Sequence, residues 1–416
     1  MRLLFNSLNH KLEHIPDEVS IYLCGITAYD IPHLGNSRGR IILDVLIRLL
    51  QYDQVKYQYI SNVTDIDDKI IQRAQELNIL APILVANSVK VYEEYLQLLG
   101  CMVKPQIPYA TDTIPEILDL ISILIKQEVA YSTIDGHVYF RVPKVLPAFY
   151  PKTRMSSHCI YGKLKENPED FVLWKPSKEN EPFWESLYSK GRPGWHTECA
   201  AMILKYAPNL TIHAGGCDLK FPHHANELLQ LKQMNCIPKI WMHINMLSLN
   251  NIKMSKSEGN SLKLNEIMQI LPPIIIRLIM LSTHYQHSLE WSRDKINQAI
   301  SFYRKLKKRR QKAIHEKACN GVLNALRNNL NTPEALRQLL LSPDDELLSG
   351  MNLLGLNDCA EINTNIKLDD VQRLFNQYQN YKKKLDYKNS DKIREELQTM
   401  GISVQGKFWI QDLISF

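Results

Sequence analysis

The chain has 416 residues, of which 45% are hydrophobic and 23% charged, and a formal net charge of +6. At ~150 residues per unit this is about three structural units, which excludes a small disulfide-stapled scaffold. A mean hydropathy of -0.25 excludes a disordered chain, and the most apolar stretch, Ile270 to Ser282, is broken by Pro272, Pro273 and Arg277 and falls short of the ~18–20 residues of a membrane span. At the start a Leu3-Leu4-Phe5 cluster gives way to Glu13 and Asp17, so no h-region is formed and a cytoplasmic protein without a membrane partner is expected. The 8 cysteines, at 24, 101, 159, 199, 217, 236, 319 and 359, include no CxxC pair, so any metal site must be assembled across the fold.

In chain order, Ser20 to Cys24 reads as a strand ending at Gly25. A helical pattern follows Gly35 through Ile41, Ile42, Val45, Leu46, Leu49 and Leu50. Lys56 to Ser61 has the β-branched and aromatic content of a second strand, and Asp67 to Leu77 reads as a second helix, with Thr64, Asp65, Asp67 and Asp68 as its N-cap cluster. The order βαβα argues for a parallel sheet of Rossmann type. Helices are expected over Val85 to Leu99 and Ile114 to Lys126, then a hairpin over Val129 to Val142 turning at Asp135-Gly136, then an irregular stretch from Pro143 to Pro168. The α/β pattern resumes with a helix His196 to Tyr206, a strand Leu210 to His213, a loop holding Gly215 and Gly216, and a helix Pro222 to Met234 opened by its proline. A sheet interrupted by about a hundred residues and then completed marks a split Rossmann unit with an insertion. Beyond Trp291 the pattern is helical, with Ser292 as an N-cap, Asp369 to Leu385 amphipathic, Ser390 to Met400 closed by Gly401, and a small strand pair over Ile402 to Ile410.

Positive charge is concentrated between Phe302 and Lys317, where Arg304, Lys305, Lys307, Lys308, Arg309, Arg310, Lys312 and Lys317 face Glu316 alone. That density suits a phosphate-bearing partner, and equally a solvated helix face. Two clusters carry chemistry. In Cys24-Gly25-Ile26-Thr27-Ala28-Tyr29-Asp30-Ile31-Pro32-His33-Leu34-Gly35-Asn36 a strand end leads into a helix whose free N–H groups can receive phosphate. His33 can donate to a phosphoryl oxygen, and Gly35 lets a flat base approach the backbone. Lys253-Met254-Ser255-Lys256-Ser257-Glu258-Gly259-Asn260 is a short polar loop whose lysines can close on a triphosphate. Alone, the first is also an ordinary βα loop and the second a surface turn.

Together on a split Rossmann pattern the two resemble the ATP motifs of class I aminoacyl-tRNA synthetases, and the match sharpens to the cysteinyl-tRNA synthetase family. The residues that carry it are the segment from Cys24, Asn62 to Ile70, Gly191 to Cys199, Asp218 to Glu227, Asn331-Thr332-Pro333 and Lys392 to Leu397. The resemblance implies an α/β fold, a class I Rossmann-type parallel sheet with an insertion followed by an all-α helical region. Its implied divisions are a catalytic first half (1–95), a connective insertion (96–192), a catalytic second half (193–245), a stem-contact region with the lysine loop (246–290) and an anticodon-binding helical region (291–416). It implies an ATP-dependent, AMP-forming ligase that activates cysteine and passes it to tRNA(Cys), with magnesium accompanying ATP and the chain a monomer. His33, Asn36, Lys253 and Lys256 would act on the phosphates, Gly35, Gly216 and Asp218 would hold the nucleotide, and Thr27, Trp195 and His196 would line the cysteine pocket. Core packing is an equal alternative for Trp195.

The family's zinc ligands fall on Cys24, Cys199, His223 and Glu227. His223 and Glu227 stand at i and i+4 on one expected helix, so they face the same way. With two thiolates they make a tetrahedral zinc set, and a thiophilic metal can take the substrate's sulfur while rejecting serine. Cys217 remains a competing ligand. The chain departs from the family pattern at Asn36 (for histidine), Ala28 (for valine), Ala214 (for glycine) and Ala225 (for glutamate), and its insertion is short around Pro143 to Pro168. The rivals are a cysteine–aminosugar ligase with the same motifs, which lacks the long helical region, and a non-catalytic tRNA-binding paralogue.

Overall fold

The computed structural model describes residues 1–145, 149–151, 164–249, 252–254, 260–311, 317–360 and 368–399. Lys256, Lys312, Glu316, Gly401, the strand pair expected at Ile402 to Ile410 and much of the Pro143 to Pro168 stretch lie outside them.

The chain opens with a hairpin, β1 (Leu3–Asn6) and β2 (Lys11–His14), absent from the sequence expectation because its strands are only four residues long. The catalytic sheet starts with β3 (Glu18–Thr27), α1 (Leu34–Tyr52), β4 (Lys56–Thr64), α2 (Asp68–Leu77) and α3 (Ala81–Leu98). Ile41, Ile42, Val45, Leu46, Leu49 and Leu50, the expected apolar stripe of α1, are all buried. After α4 (Ile114–Lys126) come β5 (Ala130–Ser132), β6 (Val138–Phe140), β7 (Phe171–Pro176) and β8 (Gly191–Pro193), paired antiparallel in that order as a separate sheet. The first sheet then resumes with α5 (Trp195–Tyr206), β9 (Ile212–Gly216), α6 (Ala225–Gln233) and β10 (Ile240–Ile244). Its order is β10-β9-β3-β4 and every pair is parallel. Strands β3 and β10 read as mostly apolar runs, as buried parallel strands do, whereas β4 carries Lys56, Gln58, Ser61 and Asn62.

Two expectations are corrected here. Gly215 and Gly216 end β9 instead of forming a loop, because their backbones pair with His243 and Ile244 of β10. Pro222 does not open α6: Phe221 is non-helical and the regular helix begins at Ala225, so residues 220–224 form a kinked turn leading into it.

A three-stranded sheet of β11 (Leu247–Leu249), β12 (Ile252–Lys253) and β13 (Leu289–Glu290) brackets α7 (Leu264–Ile270) and α8 (Pro273–Leu281). Among the described residues no single helix is long and apolar enough to cross a membrane. All nine residues of α8 are buried, Arg277 among them. The Arg277 guanidinium is held by Asp44 at 2.5 Å and by the carbonyls of Leu354 at 2.7 Å and Leu99 at 2.9 Å, so this apolar stretch is a packed core with a satisfied cation inside it.

The remaining helices are α9 (Arg293–Arg310), α10 (Asn320–Arg327), α11 (Thr332–Leu341), α12 (Leu347–Leu353), α13 (Leu368–Lys383) and α14 (Tyr387–Thr399). Ser292 caps α9 as expected, accepting from the N–H of Lys295. One apolar core runs from β3 and α1 through α7 and α8 into α9 to α12.

Candidate active site

The carboxyl ends of the four parallel strands and the first turn of α1 surround a cavity of about 320 Å³. Strand β3 connects to β4 on one side and pairs with β9 on the other, which puts the opening where an open α/β sheet binds ligands. His33, Gly35, Asn36, Thr27, Cys24, Trp195, Gly216, Asp218 and Lys253 all line it. One cavity thus collects residues spread over more than half of the chain.

On the nucleotide side, α1 runs 19 residues with no acidic side chain in its first turn, so its dipole favours an anion there, although the Leu34 N–H is already given to the Leu262 carbonyl at 2.7 Å and the Asn36 N–H to the His33 carbonyl at 3.0 Å. His33 is its N-cap in extended backbone, and the Asn36 carboxamide oxygen accepts the His33 N–H at 3.0 Å. Asn36 therefore braces the helix start and keeps its amide N–H₂ as a donor. A Cβ on Gly35 would come within 2.9 Å of the His33 ring, so only glycine leaves that ring its place. Across the sheet Asp218 follows β9, and its carboxylate lies 3.4 Å from the Lys253 ammonium.

Behind the cavity Cys24, Cys199, His223 and Glu227 bring their ligand atoms within 4.8 Å of one another. The register of β3 against β4 slips between Leu23 and Ile26, which re-aims Cys24. At that slip the Gly25 N–H donates to Asn62 Oδ1 at 2.8 Å, and a Cβ on Gly25 would fall 1.6 Å from the Asn62 carbonyl oxygen. Asn62 also donates to Cys199 Sγ at 3.6 Å. His223 Nε2 meets Glu227 Oε1 at 2.8 Å, and His213 Nε2 meets Glu227 Oε2 at 2.6 Å.

The Cys24 hydrogen bond brings the Cys199 thiol down to about 6, while burial, followed by its bond to Cys199, pushes Cys24 up. Burial opposes charge on His223, yet Glu227 and Cys199 together outweigh it and raise the imidazole to about 10. Two sulfurs, an imidazole and a carboxylate converging in a buried spot fit a thiophilic cation. The competing Cys217 stands outside this group and outside the alternative grouping of Cys24, His213, His224 and Glu227.

Trp195 is 37% exposed and stacks on His223 with ring centroids 4.1 Å apart, so core packing, the equal alternative, is not its role. His196 does not line the cavity; its Nδ1 lies 2.9 Å from His223 Nδ1, and burial, then the neighbouring His223, lowers it to about 3. Of the expected cap cluster, Asp67 caps α2. Asp65 instead accepts from Thr111, and Asp68 pairs with Lys175 at 2.9 Å and with Arg192.

Sequence reasoning missed four further groups. His213 and the pair His224 Nδ1 to His243 Nε2, 2.9 Å apart, sit behind the cluster. Lys69 lines the cavity. Arg38 is buried beneath it, donating to the carbonyls of Asn245 (2.6 Å), Met246 (3.3 Å), His287 (3.0 Å), Thr283 (3.3 Å) and His284 (3.2 Å). Only Lys69 and His224 lie inside the quoted motifs.

The architecture is that of class I tRNA synthetases. Methionyl-tRNA synthetase from Mycobacterium tuberculosis, in complex with methionyl-adenylate, superposes with a TM-score of 0.61 at 13% identity, covering 86% of this chain and 84% of that one. A putative arginyl-tRNA synthetase from Campylobacter jejuni gives 0.53 at 12% identity over 94% of each. At the sequence level residues 11–301 match the profile of the tRNA synthetases class I (C) catalytic domain. The cysteine–tRNA ligase of Pelagibacter ubique is 34% identical over 442 aligned positions, covering 97% of each chain, and that of Francisella philomiragia 33% identical over 98% of this chain and 99% of its own. The chain belongs to the cysteine family of class I tRNA synthetases.

Proposed function

We propose that this chain is a cysteine–tRNA ligase, in which the site residues take the roles that the family pattern implies. Cysteine and ATP form cysteinyl-adenylate and release pyrophosphate. A hydroxyl of the terminal ribose of tRNA(Cys) then attacks the acyl carbon, forming the ester as the bond to AMP breaks. AMP leaves with the electron pair, and the hydroxyl proton passes to solvent. His33, the N-terminus of α1, the Asn36 amide and Lys253 receive the phosphates, with Lys256 as their partner on the loop, so activation is mainly electrostatic. Asp218 accepts the ribose hydroxyls, with Gly35 and Gly216 allowing close approach. Thr27 and Trp195 border the amino acid, and His196 acts through His223. Cys24, Cys199, His223 and Glu227 hold one zinc ion, which supplies a soft Lewis acid for the substrate sulfur; magnesium comes with ATP. The five expected segments serve as catalytic halves, insertion, stem contact and anticodon region of a monomeric, cytoplasmic enzyme.

The observation that carries this reading is the single cavity lined by Cys24 of the sulfur-rich cluster, the first turn of α1 and Asp218. Cysteine-dependent ATP–pyrophosphate exchange, followed by charging of total tRNA with labelled cysteine, tests it. Exchange and charging are both expected. Exchange without charging would point to the aminosugar rival, and loss of both to the non-catalytic paralogue.

A further inference from the structure

Lys69 lies on the second residue of α2, at the β4 edge of the cavity, across β3 from Asp218. Its ammonium is exposed, stands 5.7 Å from the centre of the Tyr29 ring and makes no ion pair among the described residues. None of the carboxylates near it pairs with its ammonium among the described residues, although Asp30 lines the same cavity and Asp67, bonded to a neutral N–H, keeps its charge. Asp68 is taken by Lys175 and Arg192 of the insertion sheet, Asp65 by Thr111, and Asp67 by the backbone N–H of Lys69 itself. Aromatic contact orients a lysine head without neutralising it. The cavity therefore keeps a cation with no ion pair among the described residues on the side away from Asp218, where the insertion meets the catalytic sheet.

On the proposed reading the adenosine of the adenylate lies at Asp218 on the β9 side and its phosphate at His33 and the start of α1, which leaves the β4 side to the acyl acceptor. We infer that Lys69 binds the phosphodiester joining the terminal adenosine of the tRNA to the nucleotide before it, and so positions the attacking ribose. This rests on the ligase reading and concerns its second step alone. A cation serving only transfer should leave activation untouched.

The test uses the full-length enzyme with Lys69→Ala and Lys69→Arg, and tRNA carrying either a native or a neutral methylphosphonate linkage at that position. Lys69→Ala should leave cysteine-dependent pyrophosphate exchange unchanged and slow single-turnover transfer from preformed adenylate by about 10- to 100-fold. Lys69→Arg should restore most of the loss. The neutral linkage should slow the wild-type enzyme by a similar factor and Lys69→Ala no further, a non-additivity that a merely structural lysine would not show. Unchanged transfer, additive effects of the two changes, or exchange falling together with transfer would overturn the inference. A wild-type enzyme without exchange would instead overturn the ligase reading.

Discussion

Glu227 meets His223 through one carboxylate oxygen and His213 through the other, so a cation drawn to the first oxygen finds the carboxylate already oriented from behind. Such outer partners are worth about 10- to 100-fold in metal affinity. His213→Asn should therefore loosen zinc by about that factor in a chelator competition while the chain stays folded. Cys199→Ser should lose both zinc and cysteine activation, and Cys217→Ala should retain one zinc per chain by metal analysis; full occupancy in Cys199→Ser would sink the assignment. At this scale the sequence was legible wherever chemistry is concentrated in short motifs, as with Cys24, His223 and Glu227. It was silent on His213, an isolated histidine on an apolar strand, whose partner lies 14 positions away. The competition between Cys199 and Cys217 could not be decided from spacing, because only the packing of α5 against the sheet selects between them.

At the scale of elements the basic helix α9 divides into two kinds of cation. Arg304, Lys305, Lys307, Lys308 and Arg310 are exposed and make no ion pair among the described residues. Arg309 turns inward: it meets Asp344 at 2.8 Å and donates to the carbonyls of Leu339 (3.2 Å), Leu340 (3.0 Å) and Ser342, closing the carboxyl end of α11. Converting Lys305, Lys307, Lys308 and Arg310 to glutamate should leave pyrophosphate exchange intact, weaken charging and flatten the salt dependence of tRNA binding. Arg309→Glu alone should cost about 1–3 kcal/mol in unfolding experiments. A charge run in sequence cannot separate these classes, since both kinds of arginine look alike until the neighbouring helix is placed. Long periodic elements such as α1 and α4 were legible. β7, β8 and β11 to β13 were not, because strands of two to six residues carry too short a pattern and owe their existence to partners far along the chain.

Across the whole molecule, Asp53 at the end of α1 ties the N-terminal hairpin to α10, meeting Arg2 at 3.3 Å and Arg327 at 2.5 Å. Burial would raise its carboxyl, but the two guanidinium hydrogen bonds outweigh that and hold it below the usual carboxylate range. A depressed folded-state pKa stabilises above the unfolded value of ~3.9 and loses that contribution as pH falls through the folded value. Asp53→Asn should therefore be less stable than the wild type by about 1–3 kcal/mol in urea at pH 7, and the gap should shrink below about pH 4. A gap constant with pH would assign the loss to packing instead. The parallel sheet with its insertion was readable as topology, whereas the continuity of one core from α1 into α12 was not, because periodicity shows which face is buried and not what buries it. Arg38 adds a matter of timing. The carbonyls that receive its buried guanidinium begin at Asn245 and end at His287, which lies 249 residues after Arg38. At 5–20 residues per second a ribosome needs roughly 10 to 50 s to deliver them. Throughout that interval the nascent chain holds a cation whose sockets do not yet exist, on a helix whose apolar face is only partly covered, since α8, α10 and α12 also pack on it. Chains cut short before His287 should therefore reach chaperones and proteases as clients, without first becoming stable fragments.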